Sequence, residues 1–310
     1  MENNNSGLFA AGPVTPTEEE LKILKKYKKR NQFVEVARRL RKNKAAVLGF
    51  IILITIFTLA FIANILYDYN SAVVAANYSE TLQAPSLAHP FGTDEMGRDL
   101  LARVIYGSRI SLTIAVVTTC ISFTVGGILG AYCGYLGGMF DAVVMRFMDI
   151  FLAIPNMLLA LTIVAAFGSN LMNLMIAIAI SDIPRFARIL RSAILSIRDS
   201  EYVEAAKAVG AKTRTIIFRE IIPNCLAPLI VQASIVMAAA IITAASLSFI
   251  GLGIQPPTPE WGSMLSGARD YMREYSYMTW FPGLAIVMTV LAFNLLGDGL
   301  RDALDPRLKQ

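Results

Sequence analysis

Few side chains in this sequence could do chemistry, and their spacing excludes the common reactions. His89 is the single histidine, which rules out HExxH zinc sites and Ser-His-Asp triads. No GxxxxGK run followed by Ser or Thr occurs, so the chain cannot cradle nucleotide phosphates in the Walker manner. Cys120, Cys133 and Cys225 are scattered without CxxC spacing, which argues against both a disulfide framework and a zinc site. No catalytic residue, no metal site and no cofactor bound by this chain are expected. Two carboxylates, Asp149 and Asp182, sit within apolar runs, where an ionisable group is a candidate proton or ion carrier. Both fall near the expected cytoplasmic ends of those runs, within reach of Arg146 and Arg185.

What remains is a segment suited to docking, residues 196–225 (SIRDSEYVEAAKAVGAKTRTIIFREIIPNC). Ser200 is placed to cap a helix over 202–209, with acidic residues in its first turns. Gly210 stops or turns that helix, since glycine readily takes positive φ. A second helical stretch over 213–222 carries an apolar stripe of Ile216, Ile217, Ile221 and Ile222. Pro223 is expected to end it, and Pro228 to sit in the first turn of the next helix. Such a helix, bend and helix fits a plain linker and a knob for a soluble partner equally well. Ala205 and Ala206 would allow close approach in the second case.

The elements that must hold this segment are membrane spans. The chain has 310 residues, 55% hydrophobic and only 16% charged, with mean hydropathy +0.55. A soluble domain carries about 25% charged residues, so an ordinary cytosolic enzyme is excluded. Uncharged or nearly uncharged runs cover residues 45–66, 111–135, 147–167, 226–252 and 279–296. The first would be about 33 Å long as a helix, enough to cross a hydrocarbon core of about 30 Å. It is too long, and begins too late, to be a signal peptide. A sixth span over 171–190 starts as an apolar run and continues through Asp182, Pro184, Arg185 and Arg188, its polar end packed against protein. Of the 28 Lys and Arg residues, 23 fall on one set of alternating loops and termini and five on the other. That bias places both termini and the 196–225 loop in the cytoplasm.

Residues 1–44 form an N-terminal tail. Residues 1–17 read as disordered. The stretch 18–44 has helical spacing of Leu21, Leu24, Phe33, Val36 and Leu40, with acidic residues first and basic residues later. It is expected to lie along the inner surface of the lipid bilayer; the net charge of +5 therefore points to membrane and not to nucleic acid. Gly126, Gly127, Gly130, Gly134, Gly137 and Gly138 read as close helix packing.

Four stretches together resemble a known family. Glu204-Ala205-Ala206, then Gly210 and Pro223, is similar to the EAA loop of permease subunits in ABC-type importers. The pattern asks for an aliphatic residue three positions before the proline; here Glu220 stands there, with Ile221 and Ile222 adjacent. The other stretches are 89–112 (HPFGTDEMGRDLLARVIYGSRISL), 246–262 (SLSFIGLGIQPPTPEWG) and 293–308 (FNLLGDGLRDALDPRL). In this order they resemble the dipeptide/oligopeptide/nickel permeases, specifically the second of two paralogous membrane subunits, over roughly residues 30–310.

The resemblance implies an all-α membrane protein with six transmembrane helices in the type I importer permease fold. It implies that 45–310 is the permease domain and that 196–225 is a coupling loop entering a cleft on an ATP-hydrolysing subunit. Tyr202, Glu204, Ala205, Ala206, Gly210, Ile222 and Pro223 would make that contact. Further implied partners are a homologous second permease, two cytoplasmic ATP-binding subunits that carry ATP and Mg, and an extracytoplasmic substrate-binding protein. The setting would be the cytoplasmic membrane of a bacterium or archaeon. Gln232, Ser234, Met237 and Thr243 are candidates for the translocation pathway. A nickel permease of the same family is the alternative, and an ion-driven secondary transporter using Asp149 and Asp182 a more distant one.

The remaining stretches have structural readings. Asp94 and Asp99 suit capping of backbone N–H groups or pairing with Arg98 and Arg103. The three prolines of GIQPPTPEWG predict a rigid outer loop with Trp261 at the membrane interface. Asp298, Arg301, Asp302 and Asp305 have spacing for local ion pairs.

Overall fold

The computed structural model describes residues 32–304. The readings made for residues 1–31, including Leu21 and Leu24 of the amphipathic stripe, and for Asp305 lie outside the described residues. Within them the chain is helical, with one isolated bridge between Thr93 and Asp99. A short helix α1 (Gln32–Lys42) leads through Asn43, whose side chain caps the N–H groups of Ala45 and Ala46, into α2 (Lys44–Leu66). An irregular segment then leads to α3 (Leu100–Leu136), capped by Asp99 at the Ala102 N–H.

At 37 residues, α3 is about 56 Å long, far more than a bilayer core needs. Its last turns pack along α6 (Leu171–Leu195) through small residues. A Cβ on Gly126 would stand 2.5 Å from the Ile183 carbonyl oxygen, and one on Gly134 would stand 2.9 Å from Ile194 Cβ. Only glycine allows the two backbones to approach this closely. Gly137 and Gly138 serve differently, taking φ of +66° and +61° at the turn into the next helix.

The region expected as one span over 147–167 is a bent pair, α4 (Gly138–Ala153) and α5 (Asn156–Phe167), at 89° to each other. Pro155 causes the break: it removes a backbone N–H and forces the preceding Ile154 into extended conformation, φ −94° and ψ 128°. Four helices among the described residues are long and apolar enough to cross a membrane, or five if the bent pair counts as one, where the sequence suggests six. The difference lies in α6. It has 25 residues, but Asp182, Arg185, Arg188 and Arg191 interrupt its apolar character.

The next helix also departs from expectation. It runs without a stop from Thr213 to Phe249 (α8), thirteen residues before the expected start of the span. Pro223 does not end it, because residues Ile216–Ile221 form a π turn whose last bond runs from the Ile222 N–H to the Ile217 carbonyl. The widened turn resets the helix register, so Pro223 falls in the first turn of the following α segment, where no donor is needed. Pro228 lies inside that segment, not at its start.

After α8 come α9 (Trp261–Gly267) and α10 (Tyr277–Leu304). Trp261 is not an interfacial side chain. It is 1% exposed, donates from Nε1 to the Val104 carbonyl at 2.9 Å, and fills the notch left by Gly107 of α3. At the end of α10, no ion pair forms among Asp298, Arg301 and Asp302. Asp302 instead accepts a hydrogen bond from Asn43 at 3.3 Å, tying the α1–α2 corner to α10.

Candidate functional site

The 196–225 segment is built on the end of α6. Ile194 accepts hydrogen bonds from the N–H groups of Ile197 and Arg198, which closes that helix. A short helix α7 (Glu201–Ala208) follows, with Glu201 and Glu204 in its first turn and Lys207 in its last. That charge order suits the helix dipole. Ser200 occupies the cap position, yet its hydroxyl donates back to the Ile197 carbonyl at 2.6 Å and makes no cap bond.

One side of α7 is fixed. Val203 is fully buried with Leu190 and Ile194 of α6 and with Ile216, Ile217 and Ile221 of the π turn, and Ala206 packs against the same cluster. The isoleucine stripe seen in the sequence is the floor on which α7 rests. Lys207 Nζ lies 5.6 Å from the Tyr135 ring centroid at the end of α3, a cation–π contact. Gly210 then reverses the chain at φ +76°, while the N–H groups of Gly210 and Ala211 bond to the carbonyls of Lys207 and Ala206.

The other side is free. Tyr202, Glu204, Ala205 and Gly210 are exposed on one protruding element; Ala206 and Ile222 face the supporting core, and Pro223 is exposed on the adjoining turn. Val209, 83% exposed, and Phe218, 42% exposed, join the outer surface. Sequence reasoning missed both. The signal for Val209 was the recurrence of Tyr202, Ala205 and Val209 at intervals of three and four, a stripe the buried Val203 and Ala206 do not share; Phe218 lies on the π turn, outside it. Chemically, this is a surface of apolar side chains and the exposed carboxylates of Glu201 and Glu204 on a rigid base, with no reacting group.

The base is braced by ion pairs between α6 and α4. Arg191 holds both carboxylate oxygens of Asp141, at 2.5 and 2.6 Å, and Arg188 holds Asp149 at 2.6 Å. Asp149 thus pairs with Arg188 and not with Arg146. Asp182 accepts from Asn156 at 2.9 Å and lies 3.4 Å from Arg185.

The four pathway candidates divide between two faces of α8. Gln232 and Thr243, eleven residues apart, are half-buried on one face. Ser234 is buried on the opposite side against Gly297 of α10, and Met237 packs into the cluster shared by α2, α8 and α10.

At the opposite end of the helices, Asp94 in the 89–112 stretch caps and pairs as the sequence suggests. Asp94 takes the N–H groups of Met96 and Arg98 on one oxygen, and pairs with Arg98 Nε at 2.7 Å and Arg103 Nε at 3.4 Å on the other. Arg103 also donates to the Val73 and Pro257 carbonyls, at 2.6 and 3.4 Å, so one buried guanidinium joins three segments distant in sequence. Glu260 caps α9 at the Gly262 and Ser263 N–H groups, both at 2.8 Å. Burial pushes its carboxyl above the usual carboxylate range, against the pull of those two bonds and of the nearby Ser248 and Ser111 hydroxyls.

The chain is similar to known proteins. The family described as binding-protein-dependent transport system inner membrane component matches residues 126–310, and the N-terminal TM domain of oligopeptide transport permease C matches residues 31–85. This chain belongs to that family of inner membrane transport components. The dipeptide transport system permease protein DppC of Alkalihalophilus pseudofirmus is 46% identical, covering 89% of this chain and 90% of the relative. DppC of Escherichia coli K12 is 45% identical over 87% of this chain and 91% of its own length. The glutathione transport system permease protein GsiD of Pectobacterium atrosepticum is 42% identical over 93% and 96%. A chain of the inward-facing MetNI methionine ABC transporter superposes with TM-score 0.53 at 20% identity, covering 66% of this chain and 97% of that one. That likeness establishes the type I importer permease fold. The chain is accordingly a multi-pass transport permease subunit.

Proposed function

We propose that this chain forms half of the membrane pathway of an ATP-driven importer of di- or oligopeptides, in the cytoplasmic membrane of a prokaryote. It pairs with a homologous second permease, receives cargo from an extracytoplasmic binding protein, and is driven by two cytoplasmic subunits that bind ATP and Mg. Both termini and the 196–225 loop face the cytoplasm. The observation that carries the reading is the α7 element: a short helix and glycine bend, fixed on one side by Val203 and Ala206 and free on the other at Tyr202, Glu204 and Ala205. A rigid protrusion with no reacting group suits delivery of mechanical work from a partner. Glu204 to Gly210 is where that work enters. The peptide cargo is supported by the printed names of the relatives, whose substrates are dipeptides and the tripeptide glutathione.

The test is purification of the intact assembly from native membranes and its reconstitution in proteoliposomes. Peptide uptake that requires ATP, the binding protein and the ATPase subunits is expected. Uptake by this chain alone under a proton or sodium gradient overturns the proposal.

A further inference from the structure

Asp182 is the one acidic residue of α6 among its 25 positions, and the brace of ion pairs described above does not use it. It is 4% exposed and lines a cavity of about 90 Å³ together with Asn156 of α5, Ser181 and Arg185 of α6, and Ala239 and Thr243 of α8. Its two oxygens differ. Oδ1 accepts from Asn156 Nδ2 at 2.9 Å and lies 3.4 Å from Arg185 Nη1, whereas Oδ2 accepts no hydrogen bond from any described residue. A buried carboxylate with one bare oxygen is costly, and a purely structural polar contact to Asn156 needs no charge.

Two hydroxyls of the lining share the polarity of that bare oxygen. The Ser181 hydroxyl donates to the Ala177 carbonyl at 2.9 Å, and the Thr243 hydroxyl to the Ala239 carbonyl at 3.0 Å. Both protons are committed to backbone, so these oxygens offer lone pairs only. The cavity therefore offers three acceptors, one of them charged, beside two donors already engaged with Asp182, the Asn156 amide and the Arg185 guanidinium; with Arg185 swung aside, the occupant that fits is a compact cation with several N–H donors. A volume of about 90 Å³ admits the head of such a group and excludes a whole peptide.

The cavity also has an address. Gln232, Ala239, Thr243 and Ser246 follow at intervals of seven, four and three, which puts them on one face of α8. All four are half-buried, flanked by the exposed Ile235 and Ile242. Ala239 and Thr243 belong to this stripe and to the cavity wall alike. The cavity is thus a side recess of the polar stripe. Arg185, whose side chain is 39% exposed, is the counter-ion that an incoming cation displaces.

We propose that Asp182, Ser181 and Thr243 form a transit subsite for a primary ammonium group, the free amino end of a peptide in passage. The assignment of the cargo rests on the peptide-importer reading; the cation preference of the recess does not.

The test separates the two. In the assembled transporter carrying Cys120→Ser (Cys133 and Cys225 are buried), Thr243→Cys places a thiol in the recess. Its modification rates are measured with an ammonium-bearing aminoethyl methanethiosulfonate and with the neutral methyl reagent. The ratio of the two rates is expected to fall on the order of tenfold when Asp182→Asn is added, and to be restored by Asp182→Glu. An unchanged ratio overturns the subsite, whatever the transporter carries. ATP-driven uptake of a tripeptide in the Thr243 background is the second measurement, with Asp182→Asn expected to lower maximal uptake at least about fivefold while the wild type is active. Full uptake in that variant also overturns the subsite. A wild-type assembly that moves no peptide, together with an intact rate ratio, refutes the cargo and leaves the cation site standing.

Discussion

Replacement of Gly210 isolates the mechanical role of the α7 bend from its packing. The residue holds φ at +76°, and a Cβ built there meets no atom within 4 Å. Steric conflict with neighbours is therefore absent, and the whole effect of a side chain comes from the backbone. A left-handed conformation costs an ordinary L-residue about 1–2 kcal/mol, more for a β-branched one, and little for asparagine. Since about 1.4 kcal/mol is a factor of ten, Gly210→Ala should depopulate the native bend roughly fivefold to thirtyfold. Gly210→Val should go further, and Gly210→Asn should stay near wild type. The readouts are peptide uptake in cells, peptide-stimulated ATPase activity in proteoliposomes, and membrane content of the chain by immunoblot. Uptake and stimulation are expected to fall in the order Asn, Ala, Val, with membrane content constant. If Gly210→Asn is as inactive as Gly210→Val, or if Gly210→Val transports normally, the conformational reasoning is refuted.

Other outcomes follow from the same geometry. Glu204→Lys reverses one outward charge of α7 without touching its buried side; it should abolish uptake at normal membrane content, and co-purification of the ATPase subunits reads the loss directly. Gly130→Leu pushes a side chain into the Ala187 backbone of α6; a loss of at least about 2 kcal/mol should appear as lower melting temperature and yield in detergent. For Glu260, the folded carboxyl titrates above the unfolded one. The native state holds the extra proton between those two values, so stability is greatest below the unfolded pKa and declines as pH rises through the folded one. Melting curves across that window should show the decline, and Glu260→Gln should flatten it.

The apolar runs and the helix and bend of the 196–225 loop could be read from the chain because membrane solvation and backbone capping act locally. Asp99 capped the helix its position suggested, and the Gly126 to Gly134 series packed as its spacing implied. Three features could not be read, each for a tertiary reason. Trp261 lies inside because Gly107, 154 positions earlier, leaves a notch for it. Pro223 fails to stop a helix because the π turn before it shifts the register. Asp149 finds Arg188 on another helix, not Arg146 one turn away. The division of the pathway candidates is of the same kind: helical spacing relates Gln232 to Thr243, but only the position of α10 reveals that Ser234 points into packing.

The unbroken run of α8 has a consequence for how force spreads. Thr213 and Thr243 are thirty residues apart on one rod, about 45 Å at helical rise, with no intervening loop to absorb a displacement. Pivoting that lever by about 5° sweeps its far end through about 4 Å, roughly the breadth of a methyl group. A nudge at the Thr213 end thus becomes a stroke at the polar stripe, sized to open or close a gap that an amino-acid backbone could thread.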